Sequence, residues 1–288
     1  MSNTRIARKF SIKPSSAKPG KKVTVLIGVL LLIGALVTAF PFFWMLTSSV
    51  KPQRESVSYP PTIISSHPTL QFFRKLFTEL DFGRYLINTV AVVLISFIGL
   101  LFIAMAGYAF AKFEFRGKGQ MFFLVLATMM IPVQVTMIPT YLILSRLKLT
   151  NTLIGLAIPT LVSAFGIFLF RQFMSTLPSE IFEAAKLDGA GEWRTFWQIV
   201  IPMSKPIIAV QAVLTFITGW NSFLWPLIIA NDQNLYTLSV GLSLLNKQIS
   251  ANPSLQMAGA TLMVLPILLV FIIFQRFIVQ GFALSGLK

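Results

Sequence analysis

Tyr85-Leu-Ile-Asn-Thr-Val-Ala-Val-Val-Leu-Ile-Ser-Phe-Ile-Gly-Leu-Leu-Phe-Ile-Ala-Met-Ala-Gly-Tyr-Ala-Phe-Ala111 runs without a single formal charge. A helix needs about 20 predominantly apolar residues to cross the hydrocarbon core of a bilayer. A charge at its centre costs about 2.5–3.5 kcal/mol, so a clean window of this length reads as a membrane span. Five more charge-free windows occur, at 23–50, 119–145, 149–170, 206–231 and 248–275. The stretch 233–246 is too short and too polar to be a seventh. The whole chain agrees: of 288 residues 55% are apolar and 11% charged, with a mean hydropathy of +0.78. A soluble domain carries about a quarter charged residues. The expected fold is therefore an all-α polytopic membrane protein with six transmembrane helices, preceded by a basic tail over 1–22.

The net charge of +15 does not point to nucleic acid, because it is not gathered into a groove with interleaved aromatics. Seven of the 24 Lys and Arg lie in the first 22 residues, beside no acid, which suits a tail next to anionic lipid. With the N-terminus in the cytoplasm, 16 basic residues fall on the cytoplasmic side and 8 on the other. The positive-inside rule then predicts both termini in the cytoplasm. The first apolar run is too long for a signal peptide and is expected to stay as an anchor. The chain holds no Cys and one His, His67. That removes thiolate metal sites and leaves no histidine pair for a ligand set, so no metal is expected.

Two segments between windows carry patterns of their own. In 69–84 Phe73, Leu76, Phe77 and Leu80 recur at helical spacing, an amphipathic helix entered through Pro60, Pro61 and Pro68. Support for the second span and docking of an outside partner are both open to it. The loop 171–206 is longer than a connector requires and holds four acids and four bases. Ser179 is expected to cap a short helix with Glu180 and Glu183 in its first turns, favourable near the N-terminal dipole. Ala184 and Ala185 leave a smooth face, and Asp188-Gly189 ends the helix. A second helix from about 191 to 201 carries Phe196, Ile199 and Val200, with Pro202 and Pro206 expected to break it.

Glu183-Ala184-Ala185, three residues, Gly189, nine residues, Ile199-x-Ile201-Pro202 resembles the EAA loop of ABC importer permeases, with Ile201 in place of the usual Leu. Over about 85–288 the chain is similar to the carbohydrate (maltose-type) subgroup. The likeness rests on Ala106-Gly-Tyr-Ala-Phe-Ala111, Met130-Ile-Pro-Val-Gln134, Gly166-Ile-Phe-Leu-Phe-Arg171, Trp220-Asn-x-Phe-Leu-Trp-Pro226 and Gln275-Arg-Phe277…Gly281…Gly286. Ser222 stands where many relatives carry a carboxylate. The resemblance implies the type I ABC importer permease fold, with the EAA loop as a coupling helix. It implies a second homologous permease, two ATP-binding subunits holding ATP and Mg, and an extracytoplasmic solute-binding protein. No cofactor is expected on this chain, in which no G-x-x-x-x-G-K-[ST] string occurs, and no enzymatic activity. Glu183 would contact the ATPase, with Ala184, Ala185 and Leu187 packing, Asp188 and Gly189 turning, and Ile199 and Pro202 completing the loop. The location implied is a bacterial-type inner membrane.

Polar residues inside spans are expensive and usually face protein or water. Gln134, Gln211, Thr215, Asn221 and Ser222 are candidates for a translocation path, as are Asn88 and Thr136. Trp220 and Trp225 are candidates for stacking on sugar rings, with helix-to-helix hydrogen bonding and interfacial anchoring as the other reading of the set. The substrate class implied is carbohydrate, with sugar alcohols or glycerol phosphodiesters as the alternative. A gradient-driven transporter would require an inverted repeat and intramembrane charges, and a serine hydrolase a base inside a span. The sequence offers none of these.

Overall fold

The computed structural model describes residues 20–248 and 252–285, and every regular element among them is helical. In chain order these are α1 (Lys21–Ser49), α2 (Gln53–Ser56), α3 (Gln71–Glu79), α4 (Phe82–Lys112), α5 (Lys118–Thr128), α6 (Val133–Arg146), α7 (Leu153–Ala157) and α8 (Ala164–Met174). There follow α9 (Ser179–Leu187), α10 (Glu192–Thr195), α11 (Ile201–Met203), α12 (Lys205–Trp220), α13 (Leu224–Ile229), α14 (Leu238–Gln248) and α15 (Pro253–Ser285). A π turn at Phe196–Val200 joins α10 to α11. Most of the basic tail, residues 1–19, and Gly286 lie outside the described residues.

The chain divides into two units, 1–44 and 45–288. In the first, α1 exposes apolar side chains all round from Val23 to Phe43, the signature of a helix made for lipid. The second unit is built on α4, whose 31 residues reach about 46 Å at 1.5 Å per residue.

Three helices are single candidate spans: α1, α4 and α15. The other three expected windows are broken. α5 and α6 meet at 101°, and the pair α7–Thr160 and α8 at 42°. Pro132 explains the first break: it lacks an N–H and excludes Ile131 from helical backbone, so the chain turns and restarts at Val133. At the second break Ser163 caps α8, its Oγ accepting from Gly166 N at 3.1 Å, as Thr152 Oγ1 caps the start of α7 by accepting from Gly155 N at 3.0 Å. The fifth window, 206–231, is α12 and then, after a break at residues 221–223, α13. α12 pairs at 79° with the helical stretch Glu192–Met203.

Small residues let these helices approach. A Cβ on Gly99 would lie 1.9 Å from the Leu161 carbonyl oxygen, and one on Gly107 would lie 2.3 Å from Phe170 Cβ. Such close contact is what holds helices together where lipid offers no hydrophobic gain. At the N-terminal end of α4, Phe82 and Tyr85 join Phe72, Leu76, Leu238 and Leu255 in one apolar cluster. The amphipathic helix α3 thus supports α4 and α15. Its buried stripe is Phe72 and Leu76, while Phe77, expected inward, is exposed. The helix is shorter than 69–84 because Asp81, with a left-handed φ of 52°, turns the chain directly into α4. Thr89 Oγ1 accepts from Leu238 N at 2.9 Å and so caps α14 against α4.

Lys51 is buried just beyond α1 and donates to the Thr62 carbonyl and to Ser48 Oγ. Burial pushes its ammonium below the ordinary lysine range, with Glu55 pulling the other way. The folded state therefore releases this proton before the unfolded state does, and stability rises with pH as the ordinary value of 10.5 is approached from below. Thermal unfolding in detergent should show that rise over alkaline pH, and Lys51→Met should flatten it; equal slopes would refute the assignment.

Candidate coupling site

The segment after α8 folds back as two short helices. Pro178, with φ −59° and ψ 133°, presets entry into α9. No side-chain cap is present: Ser179, expected as the cap, is the first helical residue, because the proline supplies the turn instead. The exit follows the Schellman pattern. Ala190 N donates to Ala185 O at 2.9 Å and Gly189 N to Lys186 O at 3.0 Å, with Gly189 at a left-handed φ of 74°. The expected Asp188-Gly189 stop is therefore where the sequence places it.

The second helix differs from expectation. Pro202 does not end it. Ile201 N bonds back to Phe196 O, one residue further than in an α-helix, and this π turn absorbs the missing donor of Pro202. The break comes two residues later, at Ser204, whose N–H reaches both Val200 O and Ile201 O.

Aromatic packing fixes the elbow to α4. Tyr108 stacks on Phe182 with ring centroids 6.2 Å apart, meets Phe196 at 5.7 Å and takes Phe113 edge-on at 5.2 Å. Lys112 Nζ lies 4.9 Å from the Phe182 ring centroid and donates to the Leu177 carbonyl at 2.6 Å. Tyr108 also donates to Glu192 Oε2 at 3.4 Å. On α8, Arg171 lies 3.8 Å over the Phe122 ring. The exposed Lys186–Glu192 pair, at 3.7 Å, adds little.

The fold brings Glu183, Ala184, Leu187, Asp188 and Gly189 together on the exposed side of α9 and its turn. Leu187 is 90% exposed, an apolar side chain offered outward. Ala185 is different: it is buried at 6% exposure against its own chain. Ile199 lines, with Ala184 and Asp188, an open groove between α9 and the second helix. Pro202 is exposed beyond the π turn.

The candidates for a translocation path differ in burial and in their partners. Trp220 is 3% exposed, donates from Nε1 to the Met263 carbonyl at 2.9 Å and stacks on Phe216. Trp225 is 7% exposed and donates to the Gly155 carbonyl at 3.1 Å. Both indoles are thus committed to helix packing and are not open to a sugar ring. Asn88 is likewise used, its amide donating to the carbonyls of Asn234 and Tyr236. Gln211 is buried beside Gly166. Thr215 and Ser222 are half-buried, and Gln134, Thr136 and Asn221 are exposed. The residues that sequence reasoning missed are Tyr108, Lys112 and Phe182. Tyr108 and Lys112 sit at the last turn of a span, where an aromatic and a cation are ordinary anchors, so nothing in one sequence singled them out.

The frame is helical, with three candidate spans, or six if each bent pair is one, and an elbow packed against the end of α4. The family model described as binding-protein-dependent transport system inner membrane component matches residues 99–283. The chain belongs to that family. It is 33% identical over 279 residues to the arabinooligosaccharides transport system permease protein AraQ of Halalkalibacterium halodurans, covering 93% of this chain and 99% of the relative. It is 35% identical over 262 residues to the sn-glycerol-3-phosphate transport system permease protein UgpE of Pectobacterium atrosepticum, covering 88% and 93%. Its fold is similar to a chain of a bacterial ABC transporter involved in the import of the acidic polysaccharide alginate, with a TM-score of 0.78, 22% identity, and coverage of 91% and 99%. The fold is therefore that of a type I importer permease of the inner membrane.

Proposed function

We propose that this chain is the permease of an ATP-driven importer of carbohydrates, of oligosaccharide class, and that α9 is its coupling helix. The observation that carries the coupling reading is the contrast within α9. Phe182 is held against Tyr108 and Lys112 of α4 and Ala185 is buried against its own chain, while Glu183, Ala184 and Leu187 are exposed. A partner ATPase chain, holding ATP and Mg, would take that outer face. Movement of the ATPase would then carry the elbow and α4 as one body and change which side of the membrane the path opens to. A second permease completes the path, two ATP-binding subunits drive it, and an extracytoplasmic solute-binding protein delivers substrate. Both termini lie in the cytoplasm, where the basic tail meets anionic lipid.

Glu183→Gln removes a charge from the outer face and leaves the inward contacts alone. Loss of about 1.4 kcal/mol at the docking face corresponds to about a tenfold weaker ATPase association. Binding-protein-stimulated ATP hydrolysis by the reconstituted complex should fall accordingly, with unchanged permease in the membrane. Wild-type stimulation would remove the coupling assignment.

The substrate reading draws support from the permeases of arabinooligosaccharide systems in Halalkalibacterium halodurans and Bacillus subtilis, 33% and 30% identical. The sn-glycerol-3-phosphate relative at 35% identity keeps a phosphorylated polyol as the second reading. Purification from native membranes should bring down two ATPase chains, a second permease and the binding protein. Uptake of labelled oligosaccharide that excess glycerol phosphate does not compete would support the carbohydrate reading; the reverse would replace it.

A further inference from the structure

The coupling face leaves one exposed feature of the elbow unused. Trp193 and Trp197 lie four residues apart on the stretch Glu192–Met203 and are 63% and 49% exposed, while Thr195, Phe196 and Val200 are buried on its other side. Neither tryptophan lines the groove against α9 or the cleft against the end of α4. Trp193 meets Phe196 edge-on at 6.2 Å and Trp197 does so at 5.3 Å. Each indole is therefore held along one edge and open over the rest.

The π turn makes this face. At 3.6 residues per turn, Val200 would rotate away from Phe196 and toward the side of Trp197. The wider winding over Phe196–Val200 keeps Val200 in line with Phe196 and leaves the two tryptophans together on the outside.

The direction of the helix identifies what meets that face. Glu192–Met203 makes 79° with α12 and joins it through one residue, Ser204. α12 is part of a membrane span, so a helix nearly perpendicular to its start lies along the bilayer surface. That is the depth at which tryptophan is enriched, its ring apolar and its N–H wet. Lys205, exposed at the junction with α12, adds a charge complementary to anionic headgroups, while Arg194 lies on the groove against α9 and donates to Gln198 Oε1 at 3.0 Å.

We propose that Glu192–Met203 is an interfacial helix seated on the lipid headgroup layer by Trp193 and Trp197, so that the bilayer holds the elbow as well as α4 does. This is independent of the coupling assignment of α9, since a different face and a different partner are involved.

The natural absence of cysteine gives a direct test. Trp193→Cys, Trp197→Cys and Asp188→Cys, each spin-labelled, are reconstituted as the assembled transporter in vesicles of phosphatidylethanolamine and phosphatidylglycerol. Collision with oxygen, which concentrates in lipid, is compared with collision with a water-soluble nickel chelate. The expected result is an oxygen-to-nickel ratio several-fold higher at 193 and 197 than at the exposed position 188, whose label meets water in a sample stripped of ATPase. High nickel collision at 193 and 197 would mean water and overturn the proposal. Low collision with both probes would mean that protein, such as the ATPase, covers the face, and would overturn it too. A second measurement isolates the pair among the five tryptophans: the part of the emission that is lost in Trp193→Phe/Trp197→Phe should be quenched more by lipid brominated near the headgroup than by lipid brominated at the chain end. Equal quenching by the two would count against the seat.

Discussion

Gly107→Ala should lower the stability of the permease by about 3 kcal/mol, the upper part of the range for overpacking a well-filled interior. The added methyl would stand 2.3 Å from Phe170 Cβ and 3.1 Å from Arg171 N, so it meets the root of a side chain and the backbone behind it. Neither can swing aside. α4 and α8 must separate along their length, and Tyr108 and Arg171, which sit beside that contact, lose their partners together. Thermal unfolding in detergent measures the effect. Gly83→Ala is the control, since its methyl would find only Phe77 Cδ1 at 3.6 Å. There the better helix propensity of alanine, up to about 1 kcal/mol, has nothing to oppose it. Equal stability of the two variants would show that the α4–α8 contact yields without cost.

Phe182→Ala should separate the presence of the permease from its work. Phe to Ala in a packed site costs about 3–5 kcal/mol. Here the lost ring is the one Tyr108 stacks on and Lys112 covers. A shift near 4 kcal/mol moves the docked elbow toward the undocked state by roughly a thousandfold. ATP-dependent uptake should fall to background while the protein still inserts, because no span depends on this side chain. Limited proteolysis should cut between α9 and α10 in the variant before it does in the wild type. Phe182→Leu, which refills most of the volume, should recover part of the transport. Uptake near the wild-type level in Phe182→Ala would mean that the elbow does not need its seat on α4.

The helical membrane class and the place of the elbow were legible because each rests on a local signal. Charge-free length marks a span whatever surrounds it, and Gly189 stops α9 through its own backbone freedom. The straightness of the spans was not legible. Pro132, Pro202 and Pro266 look alike in sequence, yet the chain turns by 101° near the first, winds into a π turn before the second, and continues helically through the third. Whether a proline breaks a helix depends on which neighbours hold the chain on either side, and that is a tertiary property. Which of the two readings of Trp220 and Trp225 applies was not legible for a related reason. Their suitability for a sugar ring is intrinsic, but their accessibility is decided by Met263 and Gly155 on other helices. In the loop, smallness alone could not distinguish the inward Ala185 from the outward Ala184; the register of Phe182 on Tyr108 does so.

The turn between α5 and α6 bears on how the protein is made. The carbonyls of Leu126, Ala127 and Thr128 accept from Met129, Met130 and Ile131, but the first N–H groups of α6 have no partner within their own helix, and Met130 and Ile131 beside them are 85% and 50% exposed on this chain. Open backbone at membrane depth persists only against protein or water. A copy synthesised without something to cover that corner carries a mark of incompleteness that membrane proteases can read. The cell's stock of this permease should therefore track the supply of its assembly partners more closely than the rate of its own synthesis.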